Sequence, residues 1–253
     1  MLSLERQNEI VNYLKEHHSA TVTELSEKFF IGPASIRRDL AKLEKLDIIQ
    51  RTHGGAILVE SLSHDIPLNI RGKLSYDAKL AIGRMAAEQV MDNDIIFMDS
   101  STTTCQMAPY LNQKGNLTIV TNGLAAMNIL GTQFHDRLFC CGGKIRTQSM
   151  SIAGEQALQS IRQYRAQKVF FSCRSITPSG LIDSSVEEAE LRKSMIEGSD
   201  KVYFLCDSSK FDQQAFYQVC SLDKIHVLIT EKRPSDQWMD ILGRYHIQII
   251  YGS

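Results

Sequence analysis

The 253-residue sequence contains no apolar run long enough to cross a membrane. Its longest runs, such as Val202–Cys206, have the length of a strand, against the ~20 residues that a bilayer demands of a helix. Residues 1–20 mix charge with apolar side chains and carry no secretory signal, so the expected location is the cytoplasm. No C-x-x-C pair is present, and no His stands at metal-ligand spacing from a cysteine. The six cysteines (Cys105, Cys140, Cys141, Cys173, Cys206 and Cys220) lie mostly in or beside apolar runs and are expected to be reduced structural thiols. No metal or cofactor is expected. Charge of one sign is not in excess either: 28 Lys and Arg against 29 Asp and Glu give a net of -1. Bulk electrostatics therefore lends no support to a nucleic-acid partner, and only local placement of charge can argue for one. Internal repeats and low-complexity tracts are absent. With 43% hydrophobic and 23% charged residues, the chain has the ordinary composition of a globular protein of one large or two modest domains.

The first sixty residues are expected to form three helices and a hairpin. Leu4, Ile10, Val11 and Leu14 make a helical stripe that ends near His17-His18. A second helix follows Thr21, capped by Thr21 or Thr23, with Val22, Leu25 and Phe29 inward. After Ile31, Gly32-Pro33 breaks the chain and opens a third helix, Gly being tolerated as the N-cap and Pro favoured at the first helical position. That helix is expected to reach about Leu46. Ile48–Arg51 then reads as a strand, Gly54-Gly55 reverses the chain, and Ala56–Val59 returns.

The expected domain division is 1–59, a 60–75 linker with Pro67, Gly72 and serines at 61, 63 and 75, and 76–253. In the last part, seven short apolar runs alternate with amphipathic helical stretches. The runs are Asp94–Met98, Leu117–Val120, Leu138–Cys141, Lys168–Phe171, Val202–Cys206, Ile225–Ile229 and Gln248–Tyr251. Alternation of this kind implies an α/β domain whose mainly parallel sheet is covered on both faces.

On the third helix, Ile36, Leu40 and Leu43 share one face and must pack inward. Ala34, Ser35, Arg38, Ala41 and Lys42 lie opposite, with Arg37 at the flank. Small residues near a helix start let the backbone approach the major groove, and Arg reads guanine bidentately or binds phosphate. Arg51, Thr52 and His53 stand at the hairpin tip, where a wing would touch phosphates. Local charge agrees: residues 33–55 carry five cations against three anions, whereas residues 1–32 are net acidic. An Arg-Arg pair alone is usually a solvated face. Two short helices, a Gly-Pro break, an Arg-bearing helix and a Gly-Gly wing in one ~60-residue unit together point to a winged helix-turn-helix.

Ser35-Ile-Arg-Arg-Asp-Leu40, followed by Arg51-Thr-His-Gly-Gly-Ala56, closely resembles the DNA-binding domain of DeoR-type bacterial repressors, and the resemblance runs along nearly the whole chain. It implies that Ser35, Arg37, Arg38, Arg51, Thr52 and His53 belong to an operator-contacting surface, with Lys42 on the same outward face. Gly32 departs from the usual Ser cap, and Asp47 from the Gly that usually ends the recognition helix.

The strand ends of the second part are polar. They read Asp99-Ser-Ser-Thr-Thr-Thr104, Thr121-Asn122-Gly123, Gly142-Gly143-Lys144 and Asp207-Ser-Ser-Lys210. Ligands of open α/β sheets bind outside such ends, and hydroxyls with exposed N–H groups suit a phosphate. Each stretch also has a purely structural reading: a helix cap at Ser100–Thr104, a turn at Gly142-Gly143, a capping box at Ser184-x-x-Glu187 or Ser185-x-x-Glu188. The resemblance implies a sensor domain similar in fold to ribose-5-phosphate isomerase. Its effector contacts would fall at Asp99, Ser100, Ser101, Thr102, Thr103, Asn122, Gly142, Gly143, Lys144, Glu187, Glu188 and Lys210. Ser172-Cys173-Arg174-Ser175 departs from the family's Gly-Ala-Asp-Gly and puts a bulky cation where an acid is usual.

The expectation is a regulator, without enzymatic activity, that represses a carbohydrate-metabolism operon. It would bind double-stranded operator DNA as a homo-dimer or homo-tetramer and be released by a phosphorylated sugar. Two rivals exist. A sugar-phosphate isomerase with an appended DNA-binding domain would draw its acid and base from Asp99, Glu187, Glu188, Asp207 and Lys210. A protein-docking scaffold would show no salt-dependent duplex binding.

Overall fold

The computed structural model describes residues 3–17, 19–45, 48–58, 68–133 and 137–252. The chain divides into two units, Met1–Leu74 and Ser75–Ser253.

In the first unit the order is α1 (Ser3–His17), β1 (Ser19–Thr21), α2 (Val22–Phe29), α3 (Pro33–Glu44), β2 (Ile49–Arg51), β3 (Gly55–Leu58) and α4 (Leu68–Arg71). Thr21 starts α2 with a reciprocal cap: its Oγ1 accepts from the Glu24 N–H at 3.1 Å, and its own N–H donates to Glu24 Oε2 at 2.7 Å. Ile10, Val11 and Leu14 of α1, Leu25 of α2, and Ile36, Leu40 and Leu43 of α3 form one core with Ile48, Ile49, Ala56 and Leu74. The expected hairpin is joined by a third strand, in the order β1-β3-β2. Gly55 is required at that junction, because a Cβ there would sit 2.0 Å from the Ala20 carbonyl oxygen. The third helix ends at Glu44, short of the expected Leu46, which with Asp47 and Val59 lies outside the described residues. Within the expected linker, Leu68–Arg71 is helical and Leu74 is buried in the first unit's core.

The second unit reads α5 (Tyr76–Glu88), β4 (Ile95–Met98), α6 (Thr102–Cys105), α7 (Ala108–Leu111), β5 (Thr118–Thr121), α8 (Leu124–Gln133), β6 (Arg137–Cys140), β7 (Lys144–Arg146), β8 (Ser151–Ala153) and α9 (Glu155–Ile161). It continues with β9 (Ala166–Phe171), β10 (Ser175–Thr177), β11 (Gly180–Asp183), α10 (Val186–Glu197), β12 (Ser199–Leu205), β13 (Tyr217–Cys220), β14 (Val227–Thr230), α11 (Asp236–Arg244) and β15 (Gln248–Tyr251). The seven apolar runs are the seven strands of one sheet, ordered β15-β14-β12-β9-β4-β5-β6, with every neighbouring pair parallel.

Adjacent residues of its strands enter opposite cores. Phe97, Val169, Phe171 and Phe204 pack with α9, α10 and α11; Ile96, Met98, Phe170 and Tyr203 pack with α5 and α7. Burial on both faces explains why these strands read as continuous apolar runs. Two smaller antiparallel sheets, β7-β8 and β10-β11-β13, complete the unit. From the centre the chain runs outward one way through β4, β5 and β6 and the other way through β9, β12, β14 and β15. The strand order therefore reverses between β4 and β9.

Candidate nucleic-acid interface and effector site

The α3 helix lies on the core through Ile36, Leu40 and Leu43, and its registry is fixed by a buried charge. Asp39 accepts from Arg6 Nε at 2.5 Å and from Gln7 Nε2 at 3.0 Å, tying α3 to α1. With that face committed inward, Arg37, Arg38 and Lys42 are exposed on the other side, and Ser35 is half-buried. Arg38 donates to Ser35 Oγ at 3.2 Å, so the guanidinium lies along the helix's first turn. Arg6 and Gln7, which hold Asp39, both lie on α1. Arg51, Thr52 and His53 are exposed at the wing, and with Arg37, Gly54 and Gly55 they line a shallow groove between wing and helix. The seven expected DNA-facing residues thus fall on α3 and the wing of one small unit. Glu44, the last residue of α3, could be expected from the sequence to pair with Arg37 or Arg38; in the structure it holds Arg51, seven residues further on, through the backbone N–H and the guanidinium.

In the second unit, Asp99 stands just beyond β4, at the point where the strand order reverses, and it is buried. Its Oδ1 accepts from the N–H and Oγ of Ser101 at 3.1 and 2.6 Å. Its Oδ2 accepts from Arg192 Nε at 2.7 Å and from the N–H of Ser172, beyond β9, at 3.4 Å. Arg192, also buried, bridges onward to Asp183 at 3.0 Å and Glu188 at 3.7 Å. Glu188 in turn accepts from Ser100 Oγ at 3.0 Å and from Ser151, with Ser149 at 3.4 Å and Arg146 at 3.5 Å. Burial alone would raise the Glu188 carboxyl, but Arg192, Ser151 and Arg146 outweigh it and hold it below the usual carboxylate range. Asp207, likewise buried, is held low by Lys210 and Ser209.

Lys210 Nζ donates to the Cys173 carbonyl at 2.7 Å and to Ser172 Oγ at 3.0 Å, which joins the end of β12 to the reversal point. Asn122, beyond β5, donates to the Ile152 carbonyl at 3.1 Å and leaves its buried Oδ1 unpaired; the buried Thr103 hydroxyl is unpaired as well. Gly142, Gly143 and Lys144 are exposed at the rim, Gly143 with a φ of 146° that suits only glycine. The exposed Glu187 pairs with Arg146 at 3.5 Å.

Asp99, Ser100, Ser101, Glu188 and Lys210 are thus linked in one polar network. Thr102, Thr103 and Asn122 are buried at neighbouring strand ends, and Gly142, Gly143, Lys144 and Glu187 are exposed. Structural roles coexist with this arrangement: Ser101 caps α6, and Ser185 caps α10 by accepting from the Glu188 N–H at 3.4 Å. The Glu188 carboxylate does not complete a capping box, because it is spent on the network. Sequence reasoning missed Arg192, Asp183 and Arg146. Arg192 carried a signal in its position four residues after Glu188 on one helix, the spacing at which side chains meet. Arg174 stands half-buried between the buried Cys173 and Ser175 at the reversal point.

A winged helix-turn-helix joined to a parallel α/β unit with a buried polar network at its strand reversal has the architecture of a DNA-binding regulator with a sensing domain. Residues 6–62 match the DeoR-like helix-turn-helix domain, and residues 74–232 match the DeoR C terminal sensor domain. The chain belongs to the DeoR family of DNA-binding transcriptional regulators. It is 36% identical to the uncharacterized HTH-type transcriptional regulator YulB of Bacillus subtilis, over 91% of this chain and 90% of that one. It is 32% identical to the glycerol-3-phosphate regulon repressor of Escherichia coli, over 98% and 99%. It is 29% identical to the HTH-type transcriptional repressor GlcR of Bacillus subtilis, over 99% and 96%. Among solved structures, ribose 5-phosphate isomerase A from Methanocaldococcus jannaschii aligns with 55% of this chain and 56% of its own at a TM-score of 0.41 and 14% identity. The family and these names mark a regulator and not an enzyme. Among the described residues no helix is long and apolar enough to cross a membrane.

Proposed function

We propose that this regulator represses a carbohydrate-metabolism operon in the cytoplasm, holding operator DNA as a homo-dimer or homo-tetramer until a phosphorylated sugar releases it. Ser35, Arg37, Arg38 and Lys42 enter the major groove, while Arg51, Thr52 and His53 take the flanking backbone. One winged unit offers too few contacts for specific binding, and paired half-sites supply the rest. The effector binds at the strand reversal. There the Asp99–Arg192–Glu188 network holds the ends of several strands in one place, and this is the observation that carries the reading. The unpaired Asn122 Oδ1 and Thr103 hydroxyl face the polyol, and Gly142, Gly143 and Lys144 at the rim take the phosphate. The repressors to which the chain is similar support the sign of regulation.

Release requires that the sugar phosphate bind the DNA-free state more tightly than the bound one. The test is a thermal-shift screen of the full chain against phosphorylated sugars, their unphosphorylated parents and inorganic phosphate. At one hundred times its Kd the correct effector stabilises by ~2.7 kcal/mol, a shift of several degrees in Tm. It should also weaken duplex binding, and the parent sugar should do neither. A panel in which no phosphorylated sugar raises Tm, or in which the one that does leaves DNA affinity unchanged, contradicts the assignment.

A further inference from the structure

The strand β2 is the edge of its small sheet, so the outward N–H of Arg51 has no neighbouring strand to receive it. Glu44, the last residue of α3, takes that N–H on Oε1 at 3.3 Å, and its Oε2 lies 3.9 Å from the Arg51 guanidinium. One carboxylate therefore does two things to one arginine. It pins the base of the wing to the end of the recognition helix, and it sets a negative charge beside a cation of the groove. Both side chains are close to half exposed, so the charge pair itself adds little to folding stability.

The pair matters for DNA. A phosphate approaching Arg51 must compete with Glu44 for the guanidinium and is repelled by the carboxylate, a penalty it meets on every sequence alike. The backbone bond acts differently: by fixing the wing against α3, it keeps wing and helix contacts in one register, which only the correct sequence satisfies throughout.

We infer that Glu44 is a positioning residue of the DNA interface, one that lowers affinity for all duplexes through its charge and preserves discrimination through its bond to the wing. The inference rests on the wing reading of the preceding subsection. Two substitutions separate its halves. Glu44→Gln keeps an acceptor for the Arg51 N–H and removes the charge; Glu44→Ala removes both.

The full chain and the two variants are titrated, over a range of salt concentrations, with a duplex that the wild type selects from random sequence and with a scrambled duplex of equal length. Glu44→Gln should bind both duplexes about two- to fivefold tighter, the scale of one half-exposed ion pair. Its slope of log K against log salt should steepen by up to about 0.9, the value of one phosphate contact. Its preference for the selected duplex should stay at the wild-type ratio. Glu44→Ala should show the steeper slope but a reduced ratio. Wild-type slope and affinity in Glu44→Gln overturn the charge role, and identical ratios in the two variants overturn the positioning role. Failure of the wild type to bind either duplex in a salt-dependent way instead sinks the wing reading, and the inference with it.

Discussion

Phe30 is one of seven non-glycine residues at positive φ among those described. It ends α2 in the left-handed region, at φ 55° and ψ 43°, with its side chain 94% exposed. A bulky L-residue pays for that conformation and gains no burial in return. Phe30→Gly should therefore stabilise the first unit by about 1 kcal/mol in denaturant unfolding; an unchanged or lower midpoint would show that the ring is supported in solution. Such strain was illegible in the sequence, since only the capping geometry reveals it. The Gly32 departure was legible: Gly32 caps α3 without any side-chain bond, and a Cβ there would meet nothing within 4 Å. Gly55 was legible as a reversal, but its need for a bare Cα against Ala20 comes from a strand the sequence did not disclose.

Among the elements, α3 was read well because its burial has a helical period and its Pro start is local chemistry. What remained hidden was how α3 is fixed, since the Arg6–Asp39 pair joins residues 33 apart in sequence. The network on α10 was half visible for the same reason. Glu188 stood out as a cap partner, whereas the Arg192 bonds to Asp99 and Asp183 depend on tertiary approach. That network carries a pH signature. Glu188 and Asp207 have folded pKa values below their ordinary values of 4.5 and 3.8, so they stabilise the fold above those values and lose that contribution as pH falls through the folded ones. Thermal unfolding of the full chain should give a Tm that holds from neutrality to about pH 4.5 and falls progressively below it. A Tm that rose on acidification below that point would mean the carboxylates are not held as described.

For the molecule as a whole, the seven parallel strands were readable as apolar runs because both faces of the sheet are buried, and their polar carboxyl ends followed directly. The strands β1, β7, β8, β10, β11 and β13 were not. At three or four residues they are too short for a two-residue period to stand out, and β1 and β13 find partners far from them in sequence. The polar strand ends were thus legible one by one, while the crossing point that orders them emerged only from the topology.

The central claim is that the arginine side of α3 reads a DNA duplex, and selection from random sequence tests it most directly. The full chain should enrich one motif, with half-sites if it binds as an oligomer. Arg38→Ala, whose side chain is exposed and whose loss leaves the core intact, should enrich none while keeping the wild-type Tm. Enrichment of the same motif to the same degree by Arg38→Ala, or no enrichment by the wild type, would contradict the account.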